Sequence, residues 1–141
     1  MEYRKDKRTK NLTLRDIHVG DWVQVWSEQA ERYSPPLKII QICDDGTIYL
    51  VGSDEERPTP WEEDIKNVDA LPITEEVLLG FGFMKSKNGE DFYYGDNNFV
   101  YNLTYHRLTH MYFDSANFFH EMQERLSKRY NLNFEWKGVE K

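Results

Sequence analysis

Residues 71–83, Leu-Pro-Ile-Thr-Glu-Glu-Val-Leu-Leu-Gly-Phe-Gly-Phe, carry their own start and stop signals, and they constrain the fold more than any other stretch. The Thr74 hydroxyl can accept from an N–H that the first turn of a helix leaves unpaired. Ile73 and Leu78 then fall at the N′ and N4 positions, where two apolar side chains staple the incoming chain to the helix. Glu75 and Glu76 stand at the positive end of the helix dipole. Gly80 suits the left-handed residue that closes a helix. A short helix is predicted over 74–80, with strand-rich sequence of different character on either side.

Upstream, Val19-Gly20-Asp21 reads as a turn. In Trp22-Val23-Gln24-Val25-Trp26 the side chains alternate with the period of a strand, with Trp22, Gln24 and Trp26 on one face. Ser27–Pro36 reads as a loop, because Pro35-Pro36 prevents regular structure. Leu37–Cys43 is a β-branched run and a predicted strand. Asp45-Gly46 suits a two-residue hairpin turn leading back through Thr47–Val51. An acidic loop over 52–64, broken by Pro58 and Pro60, leads to a last short strand over Ile65–Leu71. Short strands with one long loop fit a small SH3-like antiparallel β-barrel or roll over 12–72, preceded by a charged tail over 1–11.

Downstream, Phe83–Lys87, the Asn88-Gly89 turn and Asp91–Tyr94 spell a second hairpin. After a looser turn at Gly95-Asp96-Asn97-Asn98, Phe99–Leu103 and Arg107–Phe113 continue as strands of an antiparallel meander. Asp114 or Ser115 can cap a helix that runs to Tyr130. Phe119, Met122, Leu126 and Tyr130 form its apolar stripe, with Phe118 beside it. Glu121–Arg125 and Glu124–Lys128 are i,i+4 pairs in the favourable orientation, and Leu132–Trp136 reads as an edge strand. The expected fold is α+β: an SH3-like subdomain over 12–72, a connecting helix over 73–82, and an antiparallel sheet with one packed helix over 83–141.

The formal net charge of −7 is unevenly spread. Residues 1–20 carry six basic side chains against three acidic ones, whereas residues 44–64 carry eight acidic ones against Arg57. An acidic whole opposes direct nucleic-acid binding, which rests on neutralising phosphates with Lys and Arg. The single cysteine, Cys43, allows no internal disulfide and no cysteine-based metal site. No stretch has the roughly 20 apolar residues of a membrane span, and the charged first residues lack the apolar centre of a signal peptide. A cytoplasmic protein is expected, and its state as monomer or homo-oligomer is left open.

Reactive constellations are hard to assemble from this sequence. His106 and His110 stand four residues apart in a predicted strand, about 13 Å at ~3.3 Å per residue. That separation is too long for one ion held by bonds of about 2 Å. The acidic loop lacks the Asp-x-Asp-x-Asp-Gly order of a calcium site. Gly80-Phe81-Gly82 follows a helix, whereas a dinucleotide motif precedes one. No catalytic residue, metal ligand or cofactor is therefore assigned. The remaining candidates are binding residues. Tyr94, Tyr101 and Tyr105 are flat rings with polar tips, close in sequence to His106, Arg107 and His110, and together they could hold a base and an anionic phosphate. Trp61, beside Arg57, reads either as a plug at the hinge between the two halves or as a second recognition ring. The bland alternative is that strand tyrosines are ordinary β formers on a half-exposed sheet.

Two motifs in the chain also resemble a family of small proteins carried by Bacteroides-type bacteria, their phages and their prophages. The family's Leu-Arg-x-Gly-Asn-x-Val motif is matched loosely by Leu14-Arg15 and then Val19-Gly20-Asp21-Trp22-Val23. Its Pro-Leu-Thr-Glu-x-x-Leu-Leu-x-x-Gly-Phe motif is matched closely by Leu71–Phe83. A weaker match is the helix His120-Glu121-Met122-Gln123 followed by Leu132-Asn133-Phe134. The resemblance implies a strand-rich module followed by a sheet and a C-terminal helix. It implies no known active site and transfers no functional residue. It does imply a mobile-element accessory protein, so the expected function is binding, directed at a host protein or a small nucleotide-like signal. The alternatives are a small hydrolase or cyclic-nucleotide-cleaving enzyme, and an acidic DNA mimic.

Overall fold

The computed structural model describes residues 9–52, 60–94, 100–109, 113–127 and 134–137. The protein is mostly antiparallel β-structure with two short helices, and the chain divides into two units, Met1–Leu71 and Pro72–Lys141.

The first unit is a curled sheet of six strands: β1 (Trp22–Ser27), β2 (Arg32–Tyr33), β3 (Leu37–Ile42), β4 (Thr47–Val51), β5 (Trp61–Asp64) and β6 (Val68–Ala70). The order runs β2-β1-β3-β4-β5, with β6 on β1. A 3₁₀ turn, Ile65–Asn67, links β5 to β6, and the Asp64 side chain caps it by accepting from Lys66 N–H. β2 and β3 lie on the same edge of β1, Trp26 opposite Tyr33 and Val23 opposite Leu37. Pro35 and Pro36 have no N–H to give and interrupt that ladder. Ser34 bridges the gap: its N–H donates to Val25 O and its hydroxyl accepts from Val25 N–H.

All five residues of Trp22–Trp26 are buried, so β1 is covered on both faces. Val23, Ile39, Ile48, Leu50 and Val68 form the centre of this core. Four expectations change here. Trp61–Asp64, read as loop, is a strand, and Arg32–Tyr33 adds another. The Asp45-Gly46 turn is a three-residue loop: Ile42 pairs with Ile48, Cys43 N–H donates to Thr47 O, and Gly46 closes it at φ 95°. Thr9–Leu12 is no loose tail, for Ala70 N–H donates to Lys10 O and Leu12 N–H to Val68 O along the outer edge of β6.

The second unit holds α1 (Glu75–Gly80), a sheet of β7 (Met84–Lys85), β8 (Asp91–Tyr93), β9 (Val100–Asn102), β10 (Arg107–Thr109) and β11 (Phe113–Ser115) in consecutive order, and α2 (Phe119–Ser127). Thr74 caps α1 by accepting from Val77 N–H, and the staple partners Ile73 and Leu78 are both buried. The stop differs from the expected one. Gly82 at φ 96° takes the left-handed position, with Gly82 N–H donating to Leu79 O and Phe83 N–H to Leu78 O, the Schellman pattern. Gly80 serves packing instead, since a β-carbon there would run into the Trp136 ring.

Arg107–Phe113 is not one strand: Thr109 pairs with Phe113, so the chain doubles back. Ser115 consequently belongs to β11, and α2 starts later, with the N–H groups of Asn117 and Phe118, just ahead of it, donating to the Glu121 carboxylate. Phe119, Met122 and Leu126 are buried as the stripe requires, and Phe81 stacks on Phe119 with centroids 4.2 Å apart. Phe134–Trp136 is not strand, and Tyr130 lies outside the described residues. The Asn88-Gly89 hairpin also has a longer loop than two residues, closed by Ser86 N–H donating to Asp91 O and organised by Asn88 Oδ1, which accepts from Glu90 and Asp91 N–H.

Candidate functional site

The second-unit tyrosines do not share one surface. Tyr101 is fully buried on β9, opposite Leu108. Its hydroxyl donates to Ala116 O at 2.6 Å and lies 2.9 Å from His106 Nδ1. A phenol has one O–H, so the imidazole must donate in return; Nδ1 carries a proton and Nε2 is left as the free nitrogen of the neutral ring. Burial pushes the Tyr101 hydroxyl far above its ordinary range, with the Glu121 carboxylate adding to the effect. Tyr94 is half-buried against Phe83 and Phe134, at centroid distances of 5.0 and 4.9 Å, and burial raises its pKa too.

Tyr105 and His106 lie in the four-residue loop between β9 and β10; Tyr105 and Arg107, the first residue of β10, are exposed and His106 is partly so. Tyr105 is 70% exposed, and His106 sits in the left-handed region at φ 55°. Glu31, also at φ 55°, occupies the same last position of the four-residue loop joining β1 to β2. Loop geometry accounts for both conformations. His110 and Arg57 lie outside the described residues.

The first unit offers a groove of about 1040 Å³. One wall comes from the end of β1, the Glu28–Ala30 loop and β2. The other comes from Trp61 and Glu63 on β5, with Lys66 and Asn67 of the 3₁₀ turn. Trp61 and Glu63 stand opposite the buried Leu50 and Ile48, so their side chains share the inner face of the curled sheet. Trp61 is nevertheless 40% exposed at the opening.

Trp26 is buried and meets Tyr33 edge-to-face, centroids 4.9 Å apart. Its indole N–H donates to the Glu28 carboxylate at 2.7 Å. The Tyr33 hydroxyl donates to Asp69 at 2.7 Å and accepts from Thr9 N–H at 2.6 Å. Burial raises the Tyr33 pKa, and the Asp69 carboxylate contributes in the same direction. The groove wall is thereby tied to a carboxylate that is 0% exposed and that also accepts from Asn11 Nδ2.

Chemically, the groove presents a flat ring, hydroxyls and both signs of charge, Arg32 and Lys66 with Glu28 and Glu63. Of the residues singled out from sequence, it includes Trp61. Trp26, Arg32 and Tyr33, which also line it, flank a loop with no periodicity and gave no signal in the sequence. Among the described residues, no three His, Cys, Asp or Glu side chains gather closely enough to hold a metal ion, and no helix is long and apolar enough to cross a membrane. No protein-family model, curated protein or solved structure matches the chain.

Proposed function

We propose that the protein acts by binding and that the groove of the first unit is its binding site. The observation that carries this reading is the partly exposed Trp61 ring at a cleft of about 1040 Å³. That volume is at the upper end of the range of about 300–1,000 Å³ usual for ligand sites. In this reading the first unit is an SH3-like barrel. Supporting it are the order β6-β1-β3-β4-β5 and the 3₁₀ turn between the last two strands. The biological setting comes from the resemblance: a phage or prophage accessory protein in the bacterial cytoplasm, blocking a host protein as a counter-defence. A nucleotide-like signal is the second reading, favoured by Arg32, whose guanidinium has no ion pair among the described residues and could meet a phosphate beside a base stacked on Trp61.

The test is native mass spectrometry of the protein recovered from bacterial cells, beside a Trp61→Ala variant. A host protein or small molecule carried by the parent and lost by the variant supports the proposal. Equal retention by both proteins, or conversion of the bound molecule on incubation, contradicts it.

A further inference from the structure

We infer that the groove takes an extended, basic segment of a partner protein, which adds as a strand to the free edge of β5. The inference rests on reading the groove as the binding site, and narrows what fills it.

The edge can be located from one hydrogen bond. Ile65 N–H donates to Gly46 O at 2.8 Å, the bond that flanks a non-hydrogen-bonded pair, so Thr47 and Asp64 form such a pair. By alternation Tyr49 and Glu62 form the next one. The backbone N–H and C=O groups of Glu62 and Asp64 therefore point away from β4, and β5 pairs with no other described strand. The opposite edge shows the same need already met. There β6 is covered by the chain's own Thr9–Leu12 through two backbone hydrogen bonds and the Asn11–Asp69 bridge.

Charge selects the occupant. Glu62, Glu63 and Asp64 are consecutive, and across the ladder they face Tyr49, Ile48 and Thr47, none of them a cation. Glu62 is close enough to Tyr49 to be the main cause of that phenol's raised pKa. The groove's own cations, Arg32 and Lys66, belong to β2 and the 3₁₀ turn. Charged side chains on an edge strand ordinarily guard against pairing. Three carboxylates repel a second copy of β5 or any acidic strand, and the same charges favour one carrying Lys or Arg. Such a strand gains main-chain bonds from the N–H and C=O of Glu62 and from Asp64 N–H, the Asp64 carbonyl being taken by the 3₁₀ turn that it caps, while Trp61 takes a lysine stem or an apolar side chain on the inner face.

The test uses the full chain and three short synthetic peptides: alternating valine and lysine, alternating valine and glutamate, and a valine–lysine version with alternate backbone amides N-methylated. The valine–lysine peptide should bind and slow hydrogen exchange at the Glu62 and Asp64 amides. Affinity should fall about tenfold or more with the glutamate peptide, the methylated peptide or a Glu62→Lys/Asp64→Lys variant, each of which removes interactions worth one tenfold step. Failure of the valine–lysine peptide to bind, or equal affinity for the methylated form, overturns strand addition. If Trp61→Ala abolishes binding while methylation has no effect, the groove survives as the site and only the strand geometry falls. If Trp61→Ala changes nothing, the groove itself is refuted as the site.

Discussion

The Tyr33 hydroxyl donates to the buried Asp69 carboxylate at 2.7 Å and, on its other side, accepts from Thr9 N–H at 2.6 Å, so one phenol joins the groove wall, β6 and the segment laid along it. Tyr33→Phe removes a donor to a carboxylate that has no solvent exposure and an acceptor for a backbone N–H. Leaving such groups short of partners costs about 1–3 kcal/mol. Urea unfolding should give an unfolding free energy lower by that amount, seen as a lower midpoint, and amide exchange at Lys10 to Leu12 should accelerate. An unchanged midpoint would mean that water replaces the hydroxyl.

Gly80 and Trp136 provide a test of sign. In an open helix Gly→Ala stabilises by about 1 kcal/mol. Here the added carbon collides with the Trp136 ring, and overpacking of this kind costs about 1–3 kcal/mol. Gly80→Ala should therefore destabilise the protein, and should become neutral or stabilising once Trp136 is also replaced by Ala. A double-mutant cycle followed by thermal unfolding measures the coupling directly.

Burial raises the pKa of Tyr101 strongly and of Tyr33 more modestly. A group whose folded pKa lies above its unfolded value contributes stability that is fully present below the unfolded pKa and is lost as pH rises through the folded one. The unfolded value for tyrosine is about 10. Stability owed to these two phenols should stay flat below about pH 10 and decline above it. Phenolate absorbance at Tyr101 should emerge only together with unfolding, and Tyr101→Phe should flatten part of the alkaline decline.

Glu31 holds a left-handed conformation at φ 55°, which costs a residue with a β-carbon about 1–2 kcal/mol. Glycine has no such penalty, but its looser unfolded chain returns about 0.5–1 kcal/mol of that gain. Glu31→Gly should raise stability by up to about 1.5 kcal/mol, measured as a higher urea midpoint with the groove's binding unchanged.

How far the fold could be read from sequence depended on whether a signal was local. Thr74, Ile73 and Leu78 act within one turn, and the start of α1 follows from them directly. Its end does not, because Gly80 and Gly82 are equally good stops locally, and only the Trp136 ring distinguishes them. β5 reads as loop because Trp-Glu-Glu-Asp has no apolar alternation, and it is a strand only because β4 offers it a ladder. Thr9–Leu12 likewise looks like tail until β6 supplies hydrogen-bond partners. At the site, Trp61 was legible as a large ring among prolines and acids. Tyr101 was misleading, since alternation shows that a strand has two faces without showing which one a helix will cover.

The central claim is that ligand or partner meets the first unit at Trp61 and not the second at Tyr105 and Arg107. The most direct measurement is calorimetric titration of whatever molecule the parent protein retains, into Trp61→Ala and into Tyr105→Ala/Arg107→Ala. Truncating a ring at a binding hot spot costs 2 kcal/mol or more, so the first variant should bind about 30-fold more weakly or worse, and the second should match the parent. Unchanged affinity in Trp61→Ala, with loss in the Tyr105/Arg107 variant, would contradict the account.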